Sequence, residues 1–180
     1  FYETKVLDKD MIYVASLIDS IDTYFNYDFS IDEYAPIDFT YSILAKMTIK
    51  DSNGENIYLE KVYPLVTDKK ITLNDSKIVA INEKINIDYG YYNNIASSFK
   101  TTYGIDTENT LTIYMQVSKE STDEEFRINS TINTQTFKIP LSEKSVEIKM
   151  DYTDINNIST VVSEDDVYVE NIIYIVVSIV

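Results

Sequence analysis

Ser97-Ser98-Phe99-Lys100 places a hydroxyl and an amine three positions apart. At that S-x-x-K spacing, a lysine one helical turn away can activate a serine nucleophile. Neither S-D-N nor K-T-G accompanies the motif, and the chain is short for a penicillin-recognising enzyme. Ser97 also falls about 140° from the apolar face of the helix that would carry it. A solvated helix face is the better reading. Paired carboxylates are the second possibility, because a glycoside hydrolase needs two of them about 5 to 9.5 Å apart. Thirty Asp and Glu make some such pair arise by chance. The adjacent pairs Glu124-Glu125 and Asp165-Asp166 would point to opposite faces of a strand. These acids read as a solvated surface.

Calcium is the metal that an all-oxygen ligand set permits. Side-chain oxygens gather in Asp151-Tyr152-Thr153-Asp154-Ile155-Asn156-Asn157, with Glu164-Asp165-Asp166 nearby in sequence. Asp51-Ser52-Asn53-Gly54 looks like part of an EF-hand loop but lacks its remaining ligands, including the Glu twelve positions from the start. A hairpin turn explains it better. Sixteen Tyr with no Trp is unusual. Tyr89, Tyr91 and Tyr92 sit together, and Tyr24 is expected to face outward. Exposed Tyr can stack on sugars or anchor a protein partner, although a sheet Tyr is more often half-buried. Asn129-Ser130-Thr131 fits a glycosylation sequon, a match that arises freely in an Asn-rich chain.

The chain has 180 residues, 44% of them hydrophobic, and contains no Cys and no His. No disulfide, thiolate nucleophile or sulfur-bound zinc is available, nor an imidazole base or Ser–His triad. We therefore assign no catalytic, cofactor-binding or metal-ligating residue from the sequence, and no cofactor. A formal charge of -15 disfavours nucleic acid, whose phosphates require clustered Lys and Arg, and disfavours anionic lipid surfaces.

The elements that position these residues follow a period of two. From Phe39 to Ile49 the odd residues are apolar and the even ones polar apart from Leu44, which predicts a half-buried strand. Asn53-Gly54 supplies a tight turn, and Ile57 to Val66 returns as the partner, with Pro64 at an edge or at its end. A strand over Ile21 to Phe29 extends back to about Ile12, with a bulge near Leu17-Ile18. Further strands are expected at Lys77 to Ile87, Thr110 to Val117, Glu125 to Ile132, Thr136 to Ile139 and Ser145 to Tyr152. A parity switch predicts a bulge or turn near Asn133-Thr134-Gln135. Ile95, Ala96, Phe99 and Tyr103 all fall within about 60° of Tyr92 on a helical wheel. One amphipathic helix therefore lies near residues 90–103, closed by Gly104, across a sheet or plugging an end. These elements specify a mainly β protein: an antiparallel β-sandwich of eight or more strands in a single domain spanning 1–180.

A start at Phe1 is expected for a piece or a processed product of a longer chain. The run Ile172 to Val180 is too short for a spanning helix, so it is either a buried last strand or the stub of a membrane span. Residues 151–180 hold six acids and no Lys or Arg, which would place such a flank outside the cytoplasm.

YETKVL followed by YVASLIDSIDTYFNYDF, then INIDYGYYNNIASSFKTTYGI before LTIYMQV, then TFKIPLSEKSVEIKMDYTDIN, occur in that order. This arrangement resembles domain-of-unknown-function family 5305, a surface domain of bacteria and archaea. The resemblance implies a domain outside the membrane between two hydrophobic spans, with membrane contact only through those spans. It carries over no functional residue. The expectation is an extracytoplasmic, membrane-anchored binding or scaffolding domain whose partner is another surface protein or a cell-wall component. The alternatives are a carbohydrate-binding domain using exposed Tyr and a carboxylate-based glycoside hydrolase.

Overall fold

The computed structural model describes residues 12–31, 34, 36–74, 76–121, 133–151 and 169–179. Strand β1 (Tyr13–Val14) leads through a single 3-10 turn (Ala15–Leu17) into β2 (Ile18–Ser30). Strands β3 (Ile37–Asp51), β4 (Ile57–Leu73) and β5 (Ile78–Asp88) follow, then helix α1 (Tyr89–Tyr103) and β6 (Thr107–Ser121). The chain continues with β7 (Asn133–Leu141), β8 (Ser145–Val146), β9 (Lys149–Asp151) and β10 (Val169–Ile179). All pairings are antiparallel: a small sheet β10-β2-β5, a large sheet β4-β3-β6-β7-β9, and a ribbon β1-β8. Among the described residues the protein is mainly β, with one α-helix.

The alternation read from β3 is the alternation of its burial. Phe39, Ile43, Ala45, Met47 and Ile49 are fully buried, while the intervening Thr40, Ser42, Leu44 and Lys46 are half-exposed. β2 supplies Ile21, Phe25, Tyr27 and Phe29 to the same interior, and β7 supplies Phe137, Ile139 and Leu141. Across the sandwich Phe25 meets Phe137 at 6.0 Å, and Phe29 meets Phe39 edge-on at 5.2 Å. Each such side chain is worth about 1.5–3 kcal/mol of burial, so these faces hold the sheets together.

Several boundaries differ from the sequence expectation. The strand expected from Ile12 to Phe29 is not continuous with a bulge. The 3-10 turn separates β1 from β2, and the two pair with different strands. β4 runs on past Val66 to Leu73, with Pro64 inside it, which an edge strand tolerates because one side needs no N–H donor. Asn133 to Gln135 begin β7 rather than forming a turn. The strand expected over Ser145 to Tyr152 splits into β8 and β9, paired with β1 and β7 respectively. The strand expected over Glu125 to Ile132 lies outside the described residues. Of the two readings of the apolar C-terminal run, residues through Ile179 form a strand antiparallel to β2. No helix among the described residues is long and apolar enough to cross a membrane.

One inward position of β6 carries a charge. Lys119 is 1% exposed, with its ammonium 4.8 Å from the Phe29 ring centre, and burial lowers its pKa to about 8 from an ordinary 10.5. Below pH 8 both folded and unfolded chains carry the proton, and this group's contribution is flat. Between 8 and 10.5 the unfolded chain binds more protons, so stability rises with pH. Denaturant midpoints from pH 7.5 to 9.5 should show that rise, on the order of 1 kcal/mol. Lys119→Met should flatten it, and an equal rise in the variant would show that the effect belongs to other groups.

Candidate functional site

Helix α1 begins where Asp88 accepts a hydrogen bond from the Tyr91 backbone N–H at 2.8 Å. It ends at Gly104, whose φ of +63° is the left-handed conformation that glycine adopts without a Cβ clash. Tyr89, Tyr92 and Ala96 turn into the core. Tyr91, Ile95, Phe99 and Tyr103 recur every four residues and form a second stripe along the side facing β4. The Tyr63 ring of β4 lies edge-on to Tyr91 at 6.3 Å and to Tyr92 at 5.2 Å, with the Lys61 ammonium 4.8 Å from its centre. Tyr58 of β4 stacks on Phe99 at 6.2 Å, and Phe99 in turn touches Tyr103 at 4.7 Å. Ring contacts of this kind add about 0.5–1.5 kcal/mol each. They form a seam between helix and edge strand whose outer rings, Tyr58, Tyr91 and Tyr103, are 45%, 49% and 62% exposed.

This seam borders the open side of the sandwich. Among the described residues β4 pairs with β3 alone and β5 with β2 alone, so both present an unpaired edge. A polar clasp joins them. Glu83, on the inward face of β5, accepts hydrogen bonds from the Tyr41 hydroxyl at 2.7 Å and from the Lys69 ammonium of β4. Burial alone would raise the Glu83 carboxyl, but these two donors outweigh it and hold it below the usual glutamate range. Burial, then Glu83 itself, pushes the Tyr41 phenol up.

The residues singled out by sequence separate rather than converge. Ser97 Oγ bonds Ser142 Oγ at 3.3 Å, and Lys100 pairs with Asp106 at 3.3 Å. Ser97 therefore helps dock the helix on the chain after β7, beside Asn93, whose side-chain oxygen accepts from the Ser142 N–H at 2.7 Å. It is not on a solvated face. Asp51 caps its hairpin: its carboxylate accepts from the Glu55 N–H and the Asn56 side chain, and Gly54 takes a φ of +74°. Glu124-Glu125, Glu164-Asp165-Asp166, Asn129-Ser130-Thr131 and the side chains from Asp151 to Asn157 lie outside the described residues. Among the described residues no three of Asp, Glu, Cys or His gather as a metal site would require. Tyr24 faces outward as expected, half-buried under Lys84, whose ammonium is 5.5 Å from its ring and 2.9 Å from Asp22.

The rings of Tyr91, Tyr92 and Tyr63 stand at 77° to 86° to one another, and so do not form a flat sugar platform. Sequence reasoning passed over Glu83 and Lys119. Each interrupts an inward alternation with a charged residue, and that interruption is the signal that marks them. No family model, curated protein or solved structure matches this chain.

Glu83→Gln keeps the side-chain shape but removes the charge that both donors address. At pH 7 it should cost about 1 kcal/mol in chemical denaturation, near the lower end for a charged hydrogen bond because Lys69 is half-exposed. A depressed carboxyl stabilises above its unfolded pKa and loses that stabilisation as pH falls through its folded value. The difference between wild type and variant should therefore close below the usual glutamate range. A gap that persists at pH 2 would remove the clasp's ionic character.

Proposed function

We propose that this chain is a non-catalytic binding or scaffolding domain that works outside the cytoplasm as part of a membrane-anchored surface protein. It engages an extended segment of another surface protein along β4. The unequal guarding of the β4 edge carries this reading. An exposed edge strand is a template for an added strand, and proteins that must avoid this place Pro, Lys or irregular backbone there. In β4 those devices run from the middle to the end: Pro64, Asp68 with a φ of +40°, Lys69 and Lys70, with Lys61 alone before them. The stretch before Pro64 exposes Ile57 and Val62 on the outer face, opposite Lys50 and Lys46, and Tyr58, which stacks on Phe99 of the seam. The base-free, acidic stretch of residues 151–180 supports the extracytoplasmic address. The crosswise packing of the exposed Tyr rings supports a protein partner over a stacked sugar at this seam.

The absence of native cysteine makes a single introduced one a clean probe. A photo-reactive maleimide at position 62 of Val62→Cys should cross-link one discrete surface protein on intact cells that make this domain. Unlabelled wild type in excess should compete, and Val62→Lys should not. The same reagent on Asn82→Cys, on the outer face of the small sheet, should give no product. Equal products from both positions, or none from position 62, would overturn the docking edge. An impermeant amine label that reaches the full-length protein only after lysis would overturn the address.

A further inference from the structure

The outer face of the large sheet holds a trough that the seam does not use. Two adjoining depressions of about 400 and 370 Å³ share Glu108, Thr110 and Lys138. Their floor is built from short hydroxylated side chains, Thr48, Thr110 and Thr112. The register explains the shape. Lys46, Thr112 and Lys138 lie side by side across β3, β6 and β7, so a short residue sits between two long ones. In the next row Glu60, Thr48, Thr110 and Pro140 run from β4 to β7. Lys50 and Glu108 face each other beyond them. At the far side Ile12, Ser145 and Glu147, beside the β1-β8 ribbon, close the wall. Four adjacent strands at about 4.8 Å spacing give a floor roughly 14 Å across.

The charge of this trough differs from that of the chain. Acids outnumber bases thirty to fifteen in the sequence, yet three lysines and three glutamates line these depressions. Lys46 and Glu60 stand 3.6 Å apart, a donor beside an acceptor. Ammonium groups only donate and carboxylates only accept, while threonine hydroxyls do both. Such an alternating set suits a ligand whose own groups do both, which is the property of vicinal sugar hydroxyls. Ile57 and Pro140 supply apolar contact for C–H faces. An anionic chain gains nothing from a balanced site and meets the repulsion of a -15 protein. We propose that this trough binds a neutral oligosaccharide, lying across β4, β3, β6 and β7. This site goes beyond the function proposed above and shares Ile57 of β4 with the docking edge.

Amide chemical-shift mapping tests it with defined probes: β-1,4-glucohexaose, chitohexaose, α-1,6-mannohexaose and hexagalacturonate. At least one neutral hexaose should shift amides at positions 46–50, 108–112 and 138–139 saturably, and equally at 50 and 500 mM salt. Thr110→Val and Lys138→Ala should each weaken that binding about fivefold, the loss of one net hydrogen bond. Thr110→Val preserves strand propensity, so an unchanged spectrum elsewhere separates lost binding from lost fold. No neutral hexaose shifting these amides would overturn the proposal. Shifts gathered at positions 58, 91 and 103 would overturn it in favour of the tyrosine seam. Binding of hexagalacturonate alone, abolished by salt, would overturn it in favour of an anionic ligand.

Discussion

Everything in this protein depends on the meeting of two inward faces, with Phe25 and Phe29 of the small sheet set against Phe137 and Phe39 of the large one. Strand geometry sends successive side chains to opposite faces, so building this interior commits every second residue of the long strands. What remains for recognition is fixed by subtraction: the two outer faces, the unpaired edges and the helix. That partition places the trough on one outer face and the docking seam on an edge. It leaves the interior to packing.

The interior is not wholly apolar. Glu83 and Lys119 occupy inward positions on β5 and β6, and Thr23, Thr107 and Asn109 are also buried. Burying a polar group costs about 1–3 kcal/mol unless a partner satisfies it. Glu83 meets that cost through Tyr41 and Lys69 and thereby ties β3 and β4 to β5 on the side where both sheets end in open strands. The ion pair itself is half-exposed and worth little alone. Its effect is positional, because it holds one free edge beside the other.

The helix has two faces with different duties. Tyr89 donates a hydrogen bond toward the Pro140 carbonyl at 3.4 Å, and Asn93 holds the backbone after β7, so the inner face anchors the helix to the sandwich. The outer face meets Tyr58 and Tyr63 and leaves aromatic rings beside the stretch of β4 from Tyr58 to Tyr63. Acidic groups on the outer face of the small sheet, such as Asp22 and Asp28, contrast with the balanced charge of the trough.

Period-two patterning was enough to specify the β class and the strand cores of β3, β5 and β6, the Asn53-Gly54 dipeptide its turn, and a helical-wheel cluster the helix stopped by Gly104. Those features depend on each residue's own backbone preference and on neighbours two to four positions away. Strand ends were less legible, since β4 passes through Pro64 where no described strand lies beside it, and β8 and β9 divide because each finds a different partner. The surfaces proposed for recognition were least legible of all. Tyr91 falls outside the core stripe of the helix, and Lys46, Thr112 and Lys138 are scattered over 92 positions of sequence. Only strand register brings such residues side by side, and register is decided by long-range pairing, which no local pattern encodes.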